Sequence, residues 1–149
     1  MKSPLSTLLS EKQGSVYSVS PNTTVQDAAQ MMNDHHIGSV VVLDETKLVG
    51  IFTERDVLKR IVMKDLDPSN TLVSQVMTKK ITTVSPTTSV HKAMEMMATL
   101  RLRHLPVMKD DKLVGVISIR DLTGYISQSF KFETDTLWSF ITGDYPNTA

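Results

Sequence analysis

The sequence predicts an α+β fold in which two β-α-β-β-α units pack sheet to sheet with pseudo-twofold symmetry. The first observation is an internal repeat, because a shift of 65 positions lays residues 16–57 over residues 81–122 without a gap. The second is that both copies contain apolar runs with strand patterning and apolar stripes with helical spacing. The third is size: one such unit is too small to bury a comfortable core, whereas 149 residues hold two.

Matched residues that apolar periodicity does not require support the duplication. The copies share Val-Ser-Pro at residues 19–21 and 84–86, Lys-Leu-Val-Gly at residues 47–50 and 112–115, and Arg-Asp at residues 55–56 and 120–121. Proline and glycine at one offset indicate that the backbone turns in the same places. We therefore predict a first repeat over residues 5–64, a linker over residues 65–71, a second repeat over residues 72–128 and a tail with helical spacing over residues 129–149.

Each copy begins with a short extended run, at residues 16–19 and 81–84. Ser-Pro ends both runs, because the residue before a proline avoids helical dihedral angles. A helix follows in each copy, and Thr24 with Asp27 resembles a capping box at the first of them. We interpret its apolar stripe as core packing. The stripe consists of Val25, Ala28, Ala29 and Met32 in the first copy and of Val90, Ala93, Met94 and Met97 in the second.

A β-hairpin and a second helix complete each copy. The hairpin strands are predicted at residues 40–43 and 48–52 and again at residues 105–108 and 113–117, with polar connections between them. The second helices begin at Glu54 and Ile119 and reach roughly residues 64 and 128. In the tail, Thr134 is a predicted cap before Leu137, Phe140 and Ile141. That tail helix either packs back on the module or joins a second protomer.

Composition and missing motifs exclude several classes of function. Sixteen Lys and Arg balance sixteen Asp and Glu, which disfavours nucleic acid and membrane surfaces as partners. No cysteine is present, so disulfides and thiolate chemistry are excluded. His35 and His36 point apart on a helix, so we expect no metal site. The sequence contains no apolar membrane span and no signal peptide, which predicts a cytoplasmic protein, or an organellar one if a targeting segment was trimmed. It also contains neither a nucleophile elbow nor a Walker loop, so we expect no enzyme activity.

The junctions at residues 50–56 and 115–121 share the pattern Gly, two apolar residues, a hydroxyl, any residue, Arg and Asp. Thr53 and Ser118 are good N-cap residues, and Asp56 and Asp121 fall near the third helical position. Many helices begin this way without binding anything. The same geometry also suits a ligand, since free amides, a hydroxyl and a guanidinium favour phosphate, and the aspartate could accept both ribose hydroxyls.

This motif, the Ser-Pro turns and the run Arg-His-Leu-Pro-Val at residues 103–107 resemble the cystathionine β-synthase (CBS) domain family. The chain is similar to a complete tandem CBS pair, or Bateman module, from about residue 5 to residue 127. The resemblance implies a stand-alone regulatory, energy-sensing module without a catalytic cofactor. Its effector would be AMP, ADP, ATP, NAD(H) or S-adenosylmethionine. It also implies a homodimer and a protein target that the sequence does not name.

Carried over by position, the resemblance places one ligand in each of two clefts. Cleft A consists of Val16, Tyr17, Ile37 and Gly38 around the adenine, with Ser118, Arg120 and Asp121 on ribose and phosphate. Cleft B consists of Ile81, Thr82, Leu102, Arg103 and Pro106 around the base, with Thr53, Arg55 and Asp56 on ribose and phosphate and His104 facing the phosphate. Because the copies differ at the base-facing loops, we expect unequal affinities. The alternative is a dimeric interaction protein whose clefts are vestigial.

Overall fold

The computed structural model of the protein describes residues 2–12 and 15–142, without the side chains of residues 139, 140 and 142. Two equivalent α+β repeats make up most of it, as predicted. The first consists of β1 (Ser18–Val19), α2 (Val25–Asp34), β2 (Ser39–Asp44), β3 (Lys47–Thr53), α3 (Glu54–Asp56) and a π-helix (Val57–Val62). The second consists of α5 (Val90–Leu100), β4 (His104–Lys109), β5 (Lys112–Ser118) and α6 (Ile119–Thr142). Helices α1 (Leu5–Glu11) and α4 (Val73–Val76) precede the repeats.

The hairpins of the two repeats have the same register. Ser39 pairs with Thr53 in one and His104 pairs with Ser118 in the other. The register also shifts at equivalent points, between residues 42 and 43 and between residues 107 and 108. Because such bulges are local features of the backbone, their repetition confirms that one unit was duplicated.

The opening strands are shorter than predicted. In the first repeat only Ser18 and Val19 pair with β2, in parallel. In the second repeat the strand is reduced to one bridge between Val84 and Val107. The Ser-Pro turn that follows each run leads the chain into a helix, so the extended segment ends after one or two pairs.

The segments before each repeat pack on the other repeat. Leu5 and Leu8 of α1 are buried in the core of the second repeat, although the predicted boundary assigned them to the first. Helix α4 is buried in the core of the first repeat, through Val73 and Val76. Backbone hydrogen bonds hold both helices in these positions; the Leu5 amide, for example, donates to the Thr88 carbonyl at 2.8 Å. The two repeats are therefore tied together by crossed segments.

Helix α6 continues past its predicted end near residue 128. Residues 125–142 contain neither glycine nor proline, so nothing in the local sequence ends the helix. Thr134 is not a cap, because its hydroxyl lies inside the helix and donates to the Phe130 carbonyl at 2.9 Å. The side chain of Phe140, which was also predicted for the tail helix, lies outside the described part, as do residues 143–149.

The apolar side chains along the end of α6 are exposed. Phe130, Phe132, Leu137 and Ile141 are between 57% and 75% exposed, so this part of the helix does not pack back on the module. Its packing against a second protomer stays a prediction. Across residues 2–12 and 15–142, no helix combines the length and apolar character of a membrane span.

Candidate functional site

A cavity of about 1110 Å³ lies between the two repeats, large enough for a nucleotide-sized ligand. Strand β2 lines it from the first repeat, while β5 and the start of α6 line it from the second. All of the residues predicted for cleft A line this cavity: Val16, Tyr17, Ile37, Gly38, Ser118, Arg120 and Asp121. Residues more than 100 positions apart are thus brought to one concave surface.

Ser118 and Asp121 form a reciprocal cap at the start of α6. The Ser118 amide donates to Asp121 Oδ2 at 2.8 Å, and the Asp121 amide donates to Ser118 Oγ at 3.1 Å. The local sequence forms this arrangement because a serine at the N-cap and a carboxylate three residues later satisfy two free amides. The cap fixes a hydroxyl and a carboxylate where the positive end of a 24-residue helix meets the cavity.

Lys12 is a cavity residue that the sequence analysis missed. Its Nζ donates to Asp121 Oδ2 and to the Val116 carbonyl, both at 2.8 Å. The lysine directly follows α1, whose packing in the second core carries it to this position. No local signal could have revealed the contact, since Lys12 precedes the repeated region and lies 109 positions from Asp121.

The pKa of Asp121 is lowered from its ordinary value of 3.8. Burial alone raises the pKa of this carboxyl, because it disfavours the charged form. The hydrogen bonds from Lys12 and from the backbone and hydroxyl of Ser118 outweigh burial and lower it. Asp121 is therefore held as a carboxylate at neutral pH and can accept hydrogen bonds from a ligand.

His104 and Arg103, which were predicted for cleft B, line the cavity of cleft A. The hairpin register is the reason, because His104 pairs directly with Ser118 across β4 and β5. The polar connection at residues 109–112 was the signal that could have predicted this pairing. Arg103 is held next to the start of α6, where its carbonyl accepts from the Ile119 amide at 2.8 Å.

The pKa of His104 is lowered from its ordinary value of 6.5, chiefly by burial, which disfavours the charged imidazolium. The negative charges of Asp121 and Glu54 oppose this shift, while Lys12 and Arg103 add to it. All four of these groups also line the cavity. His104 is thus surrounded by the charges that would meet a ligand.

We expect His104 to lower the free energy of unfolding in mild acid. Since its folded pKa is depressed, its contribution is complete above about pH 6.5 and is lost as the pH falls towards the folded pKa. Urea unfolding at about pH 7.5 and about pH 5.5 measures the loss, which should be smaller in His104→Gln than in the parent protein. His91→Gln, on the exposed side of α5, is the matched control and should behave like the parent. Equal losses in the two glutamine variants would contradict the prediction.

The wall that the first repeat contributes to the cavity includes an aromatic pair. The rings of Tyr17 and His35 stack with centroids 4.1 Å apart and planes at 26°. His35 and His36 lie just past the end of α2 rather than on it, and His36 has a φ of 53°. The Glu54 carboxylate occupies the space beside Gly38 where a Cβ would lie. The missing side chain at Gly38 thus makes room for the Glu54 carboxylate, which lines the cavity together with Tyr17.

The carboxylate at the centre of predicted cleft B is engaged within the protein. Asp56 is only 7% exposed. It accepts from the Thr53 amide at 3.0 Å and from the Thr78 hydroxyl at 3.1 Å. The Arg60 guanidinium lies 3.7 Å from its Oδ1 and also donates to the carbonyls of residues 76 and 77. These contacts give Asp56 a structural role in joining α4 and its flanking residues to the first repeat.

The other residues predicted for cleft B do not line the large cavity. Arg55 donates to the Arg101 carbonyl at 3.5 Å, so this side chain does reach the second repeat. Leu102 packs against the second core and Pro106 is buried within β4. Ile81 and Thr82 are half-buried in the segment before the Val84 bridge. Binding of a second ligand among these residues stays a prediction.

Comparison with known proteins agrees with this architecture. The CBS domain model matches residues 13–63 and 73–128. The chain is 37% identical over 127 residues to the CBS domain-containing protein CBSX3, mitochondrial, of Arabidopsis thaliana, an alignment that spans 82% of this chain and 62% of that relative. The chain thus covers under two thirds of that protein's length.

Two solved structures have the same fold. The CBS-domain containing protein ATU1752 from Agrobacterium tumefaciens has a TM-score of 0.78 at 34% identity, covering 83% of this chain and 98% of that one. The CBS domain protein PAE2072 from Pyrobaculum aerophilum, complexed with AMP, has a TM-score of 0.70 at 30% identity, covering 79% and 88%. With both repeats matched by the family model, this chain belongs to the CBS domain family as a tandem pair.

Proposed function

We propose that this protein is a regulatory module that binds an adenosine-containing ligand in cleft A and transmits the bound state to a protein target. The observation that carries the proposal is the cavity to which the two repeats contribute different chemistry. The first repeat supplies an apolar and aromatic wall with the Glu54 carboxylate, and the second supplies a cap hydroxyl, a carboxylate and cations. The AMP complex of the related Pyrobaculum aerophilum protein supports this class of ligand.

Each part of such a ligand has a counterpart in the cavity. The adenine would lie against Tyr17 and Ile37, where burial of a flat apolar surface contributes most. The ribose hydroxyls would donate to the Asp121 carboxylate. The phosphate would be bound by Arg120 at the positive end of α6, beside the cap that Ser118 forms. We propose binding without turnover, because this arrangement orients and neutralises a ligand but supplies no activated nucleophile.

Regulation would follow from the position of the cavity between the repeats. A ligand that touches both repeats stabilises the relative arrangement in which its contacts are best satisfied. The outer surface of that arrangement is what a target protein would distinguish, and the coupling is reciprocal, so the target would also change ligand affinity. A homodimer and a cytoplasmic location remain part of this proposal.

The test is ligand-dependent stability of the purified protein with AMP, ADP, ATP, NADH and S-adenosylmethionine. At about 100 times its dissociation constant, a bound ligand should add roughly 2.7 kcal/mol to the free energy of unfolding. Asp121→Asn should remove most of this gain, because the neutral amide cannot accept the two charge-assisted hydrogen bonds that the ribose hydroxyls would donate to the carboxylate. Thermal unfolding ranks the ligands, and calorimetric titration gives the number of sites.

Asp56→Asn is the matched control, since it makes the same change at the equivalent position of the other repeat. This variant should be less stable, because Asp56 is buried among its partners, but it should keep the ligand-dependent gain. A second bound equivalent that Asp56→Asn removes would place a ligand in cleft B as well. No gain with any of the five ligands would refute the proposal and favour the dimeric interaction protein.

A further inference from the structure

We infer that Lys12 makes cleft A selective for phosphorylated adenosine ligands over uncharged adenosine. The inference rests on the proposed function and adds a specificity-determining residue from outside the repeated motif. Lys12 lies on the segment that crosses from the N-terminus to the second repeat, and its ammonium lines the cavity.

The position of Lys12 is held from both ends. On the chain side, α1 is anchored by Leu5 and Leu8, which are buried in the second core. Leu9 also lies against Gly115, where a Cβ would collide with its side chain. On the cavity side, the ammonium bonds to the Val116 carbonyl and the Asp121 carboxylate. These contacts keep the ammonium at the cavity wall next to the Asp121 carboxylate, although about a third of the Lys12 side chain is exposed.

Lys12 and a ribose would compete for the same carboxylate. Three donors already converge on Asp121 Oδ2: the Lys12 ammonium at 2.8 Å, the Ser118 amide at 2.8 Å and the Ser118 hydroxyl at 2.9 Å. The two Ser118 donors belong to the cap and stay with the helix. A ribose that takes both oxygens of Asp121 must therefore displace Lys12, and the ion pair is lost.

The loss of the Lys12–Asp121 ion pair is offset only if the ligand itself carries an anionic group. A displaced ammonium, about a third of whose side chain is exposed, loses its carboxylate in a cavity that is also lined by the cations Arg103 and Arg120, whose like charge disfavours it there. A phosphate group on the ligand gives Lys12 a new charge-assisted partner, so the ion pair is exchanged rather than broken. Adenosine offers no such group. For the same reason S-adenosylmethionine, whose sulfonium adds positive charge, should be bound less well than AMP.

The experiment is calorimetric titration of AMP and of adenosine into the parent protein, Lys12→Met and Lys12→Arg at one fixed ionic strength. The parent should bind AMP more tightly than adenosine. In Lys12→Met the ratio of the two affinities should fall by about 10- to 100-fold, because AMP loses a charge-assisted contact while adenosine no longer displaces an ion pair. Lys12→Arg keeps the positive charge and should keep most of the selectivity.

Lys92→Met is the matched control. It also removes one positive charge and one lysine–carboxylate pair, with Glu95 at 3.0 Å, but it lies outside the cavity of cleft A. Its affinity ratio should equal that of the parent. If the parent binds AMP and Lys12→Met keeps the parent ratio, the selectivity inference fails while the proposed function stands. If the parent binds neither AMP nor adenosine, the inference fails, and the proposed function fails with it only when ADP, ATP, NADH and S-adenosylmethionine also leave the stability unchanged.

Discussion

Phe52→Ala is expected to lower the free energy of unfolding by about 3–5 kcal/mol. Phe52 is 0% exposed and is among the largest fully buried side chains of the protein. It lies in β3 opposite Val40, within the core that β2, β3, α2 and α4 share. Close-packed neighbours held by strand pairing cannot collapse fully into the space that the ring leaves. Urea unfolding followed by circular dichroism measures the loss.

Phe132→Ala removes the same ring from α6 and is the control for this measurement. Phe132 is 74% exposed, so its removal should change stability by no more than about 0.5 kcal/mol. Similar losses in the two variants would show that the cavity term at Phe52 is absent and that the first core is not packed as described. Because Phe52 precedes the Thr53 cap, its loss should also loosen the start of α3.

Leu5→Ala is expected to lower the free energy of unfolding by about 2–5 kcal/mol, although Leu5 lies before residue 16, where the aligned internal repeat begins. The side chain is fully buried in the core of the second repeat, together with Leu8 and Leu122. From the sequence alone, Leu5 was assigned to the first repeat. The structure makes it a core residue of a repeat that begins far along the chain.

A double-mutant cycle tests this packing. Leu5→Ala combined with Leu122→Ala should show a coupling of about 0.5–3 kcal/mol, since both side chains belong to the second core. Leu5→Ala combined with Phe52→Ala should be nearly additive, because Phe52 belongs to the first core. The opposite pattern would mean that α1 packs on the first repeat. Leu5→Ala should also weaken AMP selectivity, because α1 positions Lys12.

The elements predicted best are those determined by neighbours in the sequence. The N-cap at Thr24, the two hairpins and the strand-to-helix junctions at Thr53 and Ser118 all lie where they were predicted, although Thr24 and Asp27 make only the N-cap bond of the predicted capping box. Each depends on hydrogen bonds between residues a few positions apart, so the residue types and their spacing contain the information. The end of α6 was predicted poorly, because the repeat was taken as its limit although no helix-breaking residue occurs there.

The candidate site was predicted in part. The seven residues assigned to cleft A line one cavity, and the equivalent offset of 65 positions explains why the motif could be found twice. Asp56 and Asp121 occupy equivalent positions in the repeated motif, but their surroundings in the structure differ. Asp121 faces Lys12 and an open cavity, whereas Asp56 is enclosed by Thr78 and Arg60. Those partners come from non-repeated or divergent positions, and no motif describes them.

The sequence by itself determined the duplicated unit, its strands and first helices, and the capped junctions that a ligand could use. Only the tertiary structure decided which core receives α1 and α4, which cleft receives His104, and which cation pairs with Asp121. The physical reason is that local hydrogen bonding is specific, while burial is not directional. An apolar stripe predicts that one face of a segment is buried, but packing across the whole molecule determines which element buries it.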